Sequence, residues 1–388
     1  MSRPLSRTVP FHCPTRTGNE EKSIAEALTS GRISGGGPIA ARVEERLQDL
    51  LGVNSALLVP TCSHALEMAI RLLQPRPDDE FIVPSFSYVS DANAVLLAGG
   101  SVVFADILPD TMTLDPDDVS RRISRRTMGV IAVDYGGYAC DLDALGELCE
   151  EHGIVLIEDA AHAIGGKFQE KALGTFGDMG CLSFHETKNI HCGEGGALLT
   201  SDVRLAELAT IYRNRGTNRD AFERGDVDFY SWVGLGSSLF LPELQAAMLD
   251  VQLDCLDDVT TRHRAIAALY RRALASLETR GMLRLASPRE DCEPNDHVFF
   301  VHLPSPDMRP EFIERMGQLG VDTRFHFVPL HTTPFGRSVT EEKVELPATE
   351  RAAATLVRLP IGCSLTDDDV LYVADSVGRV LQTMTSFA

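Results

Sequence analysis

Lysine is scarce in this chain, which holds only Lys22, Lys167, Lys171, Lys188 and Lys343. Lys188 has the most suggestive surroundings. It follows Gly180-Cys-Leu-Ser183, a short apolar run that reads as a strand, by five residues. A lysine in a partly buried site loses its proton readily, and only the neutral amine can attack a carbonyl to form an imine. The plain alternative is a solvated loop lysine. Lys22 and Lys343 lie in charged sequence, and Lys167 and Lys171 in a polar, hairpin-like stretch. About twenty residues earlier, Ile154-Val-Leu-Ile-Glu158-Asp159-Ala160-Ala161-His162 ends an apolar strand in two carboxylates. Ligands of open α/β sheets bind beyond the carboxyl ends of strands, so Asp159 can meet a protonated ring nitrogen there. An N-capping Asp gives the same pattern. A third segment, Val59-Pro-Thr61-Cys62-Ser63-His64, turns from strand to helix. A helix N-terminus with free N–H groups suits a phosphate, and capping by Thr61 or Ser63 is the alternative.

An amine for an imine, a carboxylate for a ring nitrogen and a phosphate turn are together what pyridoxal 5'-phosphate requires. In that order the residues resemble the DegT-type sugar-nucleotide aminotransferases, whose fold is that of aspartate aminotransferase (type I). The resemblance runs from Gly31-Arg-Ile-Ser34-Gly35 to Arg358-Leu-Pro360. It is most specific at Glu158-Asp-Ala-Ala-His162, Ser183-Phe-His-Glu-Thr-Lys-Asn189, Gly193-Glu-Gly-Gly196 and Leu244-Gln-Ala-Ala247. Within the family, Arg215-Gly-Thr-Asn-Arg219, Phe222, Arg224-Gly225, Val227-Asp228, Tyr230, Trp232, Gly236-Ser-Ser238 and Phe325-His-Phe-Val-Pro-Leu-His331 are most similar to the dTDP-4-amino-4,6-dideoxyhexose transaminases.

That resemblance implies roles. Lys188 would carry the cofactor as a Schiff base and then serve as the base that moves the proton. Asp159 would pair with the pyridinium nitrogen, His162 would sit near the phenolic oxygen, and Tyr88 would stack on the ring. Ser63 and Ser183, with the amides of Cys62 and Ser63, would hold the phosphate. Ser238 would reach it from a partner subunit, making a homodimer. L-glutamate would be the amino donor, with pyridoxamine phosphate as the aminated cofactor. The acceptor would be a nucleotide sugar, foremost C4 of dTDP-4-keto-6-deoxy-D-glucose, with amination at C3 as the alternative. Ser34, Arg215, Arg219, Arg224, His326 and His331 are the candidate substrate residues. The chain departs from the family pattern at Cys62-Ser63 (often Gly-Thr), Ser238 (often Asn) and Asp134 (often His). The related sugar dehydratases replace the lysine with histidine, so Lys188 disfavours that activity.

The elements that must position these residues follow from periodicity. Ala56–Val59, Phe81–Val83, Val102–Ala105, Gly129–Val133 and Ile154–Ile157 are short apolar runs separated by amphipathic stretches. Such alternation predicts an α/β fold with a large, mostly parallel sheet covered on both faces. After Leu199 come a helix near Arg204–Arg213, a polar loop over Gly216–Trp232 and a long helix from about Pro242 past Ala268. A strand (Val298–Leu303), a helix (Pro310–Leu319), a strand (Val321–Phe327) and a helix (Thr366–Met384) predict a smaller α+β domain. The division is placed between 1–255 and 256–388.

Composition bounds the rest. With 44% hydrophobic and 24% charged residues, 388 residues can bury a sizeable core. A net charge of −20 repels nucleic acid and anionic membranes, so cations for an anionic ligand must be local. That charge also disfavours a DNA-binding regulator built on this fold. Nine cysteines without a CxxC pair suggest reduced thiols in a cytoplasmic protein. Met1–Arg16 has no apolar signal-like core, and Ala92–Ala105 is too broken to span a bilayer. No metal site is expected. His185-Glu186 and His191 miss the HExxH spacing, and an extended Phe325–Pro329 segment would send His326 and His331 to opposite faces.

Overall fold

The computed structural model describes residues 7–340 and 343–385. The first six residues of the Met1–Arg16 segment therefore lie outside the described residues. The centre of the fold is a seven-stranded sheet in the order Ser55–Val59, Gly196–Thr200, Met179–Ser183, Val155–Asp159, Thr127–Val133, Glu80–Pro84, Ser101–Ala105. From Ser101–Ala105 to Met179–Ser183 all neighbours pair in parallel. Gly196–Thr200 runs antiparallel to both its neighbours. The expected mostly parallel sheet is therefore observed. The strands are almost wholly buried because helices cover both faces. Val43, Leu47, Leu145 and Leu249 pack in one cluster, and Leu66, Ile70, Val95 and Ala209 in another.

A second sheet, Arg284–Leu285, Phe299–His302 and Leu356–Leu359, is antiparallel. It packs with the helices Leu256–Thr279, Met308–Gln318 and Asp367–Thr385 around Tyr270, Phe299, Phe312 and Val373. The helix Leu256–Thr279 belongs to both units. Leu256 and Val259 pack in the large cluster, whereas Ile266 to Leu277 face the small one.

Three local expectations are corrected. The long helix is two, Glu243–Leu253 and Leu256–Thr279, broken at Asp254–Cys255. Val321–Phe327 is not a strand. It makes only isolated bridges, Val9 to Val321 and Arg324 to Arg358, and Pro329 follows. The loop over Gly216–Trp232 contains a short helix, Arg219–Arg224. All nine cysteines are free. Among the described residues no helix is long and apolar enough to cross a membrane.

Candidate active site

The chemical residues gather beyond the carboxyl ends of the central strands. Asp159 is the last residue of its strand and is almost fully buried. Its Oδ1 accepts from Ala161 N at 2.9 Å, with the Cys62 thiol 3.8 Å away. Ser183 ends the adjacent strand. From there the chain makes a tight turn, Lys188 N donating to His185 O at 2.9 Å, which points Lys188 back over the sheet end. The Lys188 side chain keeps partial access to solvent, yet protein surrounds it closely, the signature of a recess. Burial lowers its pKa to about 8, against the opposing pull of Asp159 and Cys62. Among the described residues no acceptor takes a hydrogen bond from its Nζ.

The expected strand-to-helix turn at Thr61–Ser63 is present. Thr61 caps the helix Cys62–Leu72, its Oγ1 accepting from His64 N. The N–H groups of Cys62 and Ser63 meet no acceptor among the described residues. Ser63 Oγ lies 2.6 Å from Ser90 Oγ. Gly196 closes this cup from the neighbouring strand: a Cβ there would stand 2.5 Å from Cys62 N and from Thr61 C. Close backbone approach is the reason for glycine at this position.

His162 Nδ1 accepts from Gly136 N at 3.1 Å, which leaves Nε2 as the N–H. Burial, then the nearby positive charge of Lys188, hold its pKa well below the usual histidine range, so it is a neutral donor. Tyr88 N-caps the helix Val89–Ala98 and is 61% exposed, its ring open to a flat ligand, 6.3 Å from Phe327. Tyr135 OH bonds His326 Nδ1 at 2.6 Å, and His326 stacks on Phe327 at 3.7 Å. The His162 and His326 rings are 6.3 Å apart and stacked, which brings His326 beside the sheet end.

Other expected residues stand elsewhere. His331 is buried, with Nδ1 2.6 Å from Ser85 Oγ and Nε2 3.2 Å from Glu350 Oε1. Both ring nitrogens are engaged, which corrects its expected place on the cleft wall. Ser34 is exposed in the bend before the helix Pro38–Leu51, where Gly35 presses on Phe240 and Leu241. Arg215, Arg219 and Arg224 are exposed on the Gly216–Trp232 side. Arg219 pairs with Glu223 at 2.9 Å and Arg224 with Asp226 at 2.9 Å. Ser238 is exposed and bridges to Asn214. Asp134 is fully buried, its Oδ1 accepting from Cys140 N at 3.0 Å, so it is not on the substrate side. Among the described residues no cluster of three or more His, Cys, Asp or Glu could hold a metal ion.

Three residues escaped the sequence reading. His297 lies 4.6 Å from the His162 ring and bonds Asn189 Oδ1 at 2.7 Å. With His263, Asn189 and Lys188 it lines a cavity of about 20 Å³, room for one water. Arg358 leaves its buried Nε without a partner, and its charge is felt at Lys188, His162 and His326. Asp91 is buried beside Asp159. Only Arg358 carried a signal, standing at the edge of the resemblance; the other two come from segments without a motif.

Lys188, the buried Asp159 carboxylate and the open N-terminus of the helix Cys62–Leu72 thus meet at the strand ends of one sheet. The profile of the DegT/DnrJ/EryC1/StrS aminotransferase family matches residues 14–378, and the chain belongs to that family. It is 29% identical to spore coat polysaccharide biosynthesis protein SpsC of Bacillus subtilis, over 98% of this chain and 99% of that one. Among solved structures it resembles the aminotransferase TlmJ from Streptoalloteichus hindustanus, with 31% identity and a TM-score of 0.89 over 97% of this chain and all of that one. It also resembles S. venezuelae DesV, solved with a ketimine intermediate: 33% identity and a TM-score of 0.86 over 94% of each chain. The protein is therefore an aminotransferase.

Proposed function

We propose that this aminotransferase carries pyridoxal 5'-phosphate on Lys188 and moves the amino group of L-glutamate to a nucleotide-linked keto sugar. The observation that carries the reading is Lys188 itself. It is an unpartnered amine with a pKa lowered to about 8, set between a buried carboxylate and an open phosphate turn. Pyridoxal phosphate supplies an aldehyde that captures amines and a ring that takes up an electron pair when a Cα–H bond breaks.

The residues present fit that group. The free N–H groups of Cys62 and Ser63, the Ser63 hydroxyl and Ser183 Oγ would hold its phosphate. Asp159 would accept the ring N–H, His162 Nε2–H would donate to the phenolic oxygen, and Tyr88 would cover the ring. Neutral Lys188 Nζ would accept the proton from the amino donor's Cα and return it to the cofactor side. Arg358, with its unspent Nε, suits a carboxylate of the donor.

We assign the sugar as dTDP-4-keto-6-deoxy-D-glucose, aminated at C4, on the motif Arg215–Trp232; Arg215, Arg219 and Arg224 would meet its pyrophosphate. The chain at and just after the end of this segment exposes Phe229, Tyr230, Trp232, Val233 and Leu235, an apolar surface larger than scattered single side chains. It fits a second copy of the chain, and Ser238 beside it would reach that copy's phosphate turn. Incubation with glutamate and dTDP-4-keto-6-deoxyglucose, followed by NMR of the product, tests the whole reading. An amine at C4 supports it. An amine at C3, or loss of a hydroxyl, replaces it by the corresponding C3 transaminase or dehydratase.

A further inference from the structure

Asp91 lies in the first turn of the helix Val89–Ala98, just after Tyr88. An Asp there normally caps exposed N–H groups. This one is 0% exposed. Its Oδ2 accepts from the Ser87 hydroxyl, while its Oδ1 finds no N–H or O–H donor among the described residues. The Asp159 carboxyl faces it within hydrogen-bonding reach. The other ionisable groups near the pair are Cys62, Cys181, Lys188 and the buried Asp134; Lys188 favours the Asp159 anion, and Asp134 faces Asp159 from the neighbouring strand end.

Two buried carboxyl groups in contact do not both ionise. Asp159 is the better anion: Ala161 N–H donates to it and Lys188 stands near. Asp91 has the Ser87 hydroxyl and its own backbone N–H, both neutral donors. We propose that Asp91 is held as a neutral carboxylic acid that donates a hydrogen bond to Asp159, a positioning residue that keeps Asp159 ionised and aimed at the cofactor's ring nitrogen. The otherwise orphaned oxygen is then part of a carboxyl group whose proton is spent on Asp159. Burial, and then the Asp159 charge, push the Asp91 pKa well above the carboxylate range, in agreement. The recess thus carries one negative charge for one pyridinium proton instead of two. The inference deepens the cofactor assignment and rests on it for its purpose, though not for its first test.

That test uses the full-length chain freed of cofactor. Infrared difference spectra of wild type against Asp91→Asn, with aspartate labelled at the side-chain carbon, should show a protonated carboxyl band at neutral pH that the variant lacks. A spectrum at neutral pH without that difference overturns the proposal, whatever the cofactor proves to be. Should Asp91→Asn fold poorly, the difference is taken against Asp91→Leu instead, and the labelled carboxyl band that this variant lacks must persist in the wild type between about pH 5 and 8; a band that both share belongs to another buried aspartate such as Asp134 and overturns the proposal. The positioning role is read from affinity for pyridoxal phosphate. Asp91→Asn keeps a donor and should bind within about threefold of wild type. Asp91→Leu removes it and should bind about tenfold more weakly, the range for a hydrogen bond to a charged group. Equal binding by the two variants overturns the role. Failure of the Lys188 assignment would instead appear as wild-type chain that gains no imine absorbance while the carboxyl band stays.

Discussion

The recess at the sheet ends and the exposed segment after Arg215 handle charge in opposite ways. In the recess Asp159 is 6% exposed, and polar groups are either tied down or left waiting: Lys188 Nζ, the Cys62 and Ser63 amides, Arg358 Nε. Unspent groups of this kind cost stability, and chemistry is the reason to keep them. On the segment, Trp232 is 79% exposed, and Arg219 and Arg224 are already matched to Glu223 and Asp226. Exposed pairs contribute only about 0.2–1 kcal/mol, so the diphosphate of the proposed substrate would replace the carboxylates at little cost. On the proposed function, reactivity is built by withholding partners, and recognition by holding weak ones.

The sharpest way to break this contrast is Lys188→Ala. It should lower turnover at least ~10³-fold and remove the imine absorbance, measured by steady-state assay and visible spectroscopy. Retention of both would show that the free amine is incidental. Next is Asp159→Asn. Losing one member of a buried charge pair costs about 3–5 kcal/mol, so pyridoxal phosphate should bind ~10²–10⁴-fold more weakly by equilibrium titration.

A gentler probe is pH. Burial lowers the Lys188 pKa from 10.5 to about 8, so the reactive neutral amine accumulates as pH rises through about 8. The rate of cofactor capture by the cofactor-free chain should climb from pH 7 to 9 with its midpoint there. The linkage has the same sign. Between about pH 8 and 10.5 the folded chain binds fewer protons than the unfolded one, so this lysine's contribution to stability becomes more favourable as pH rises across that window. The smallest effects belong to the exposed arginines. Arg224→Ala should raise KM for the nucleotide sugar a few-fold, more at low salt, with kcat and melting temperature nearly unchanged. A fall in kcat would place that arginine in the recess chemistry after all.

The contrast also explains what could be read from the sequence. Strand ends are set by local apolar runs, and a parallel sheet presents those ends to its ligand, so Asp159, Ser183, Lys188 and the Thr61–Ser63 turn were legible one segment at a time. His297, Asp91 and Arg358 join them only through long-range packing, and no spacing announces it. The strand Gly196–Thr200 went unread because it opens on glycine and runs against its neighbours. Val321–Phe327 looked like a strand from its branched and aromatic residues, but its backbone finds partners at two points only. His331 was legible as part of a motif, whereas its bonds to Ser85 and Glu350 come from elements far away in sequence.

One consequence follows from the strand that was overlooked. Gly196 pairs on one side with Val59 and on the other with Ser183. Two ladder steps, about 10 Å in all, therefore separate the anion cup from the strand that launches the lysine. The glycine is a spacer with a set width, and its bare Cα lets the cup's first amides sit against it. The two ends of any ligand held here are gauged by the backbone rather than by adjustable side chains, so this dimension can stay constant while the exposed segment is rewritten for a different sugar.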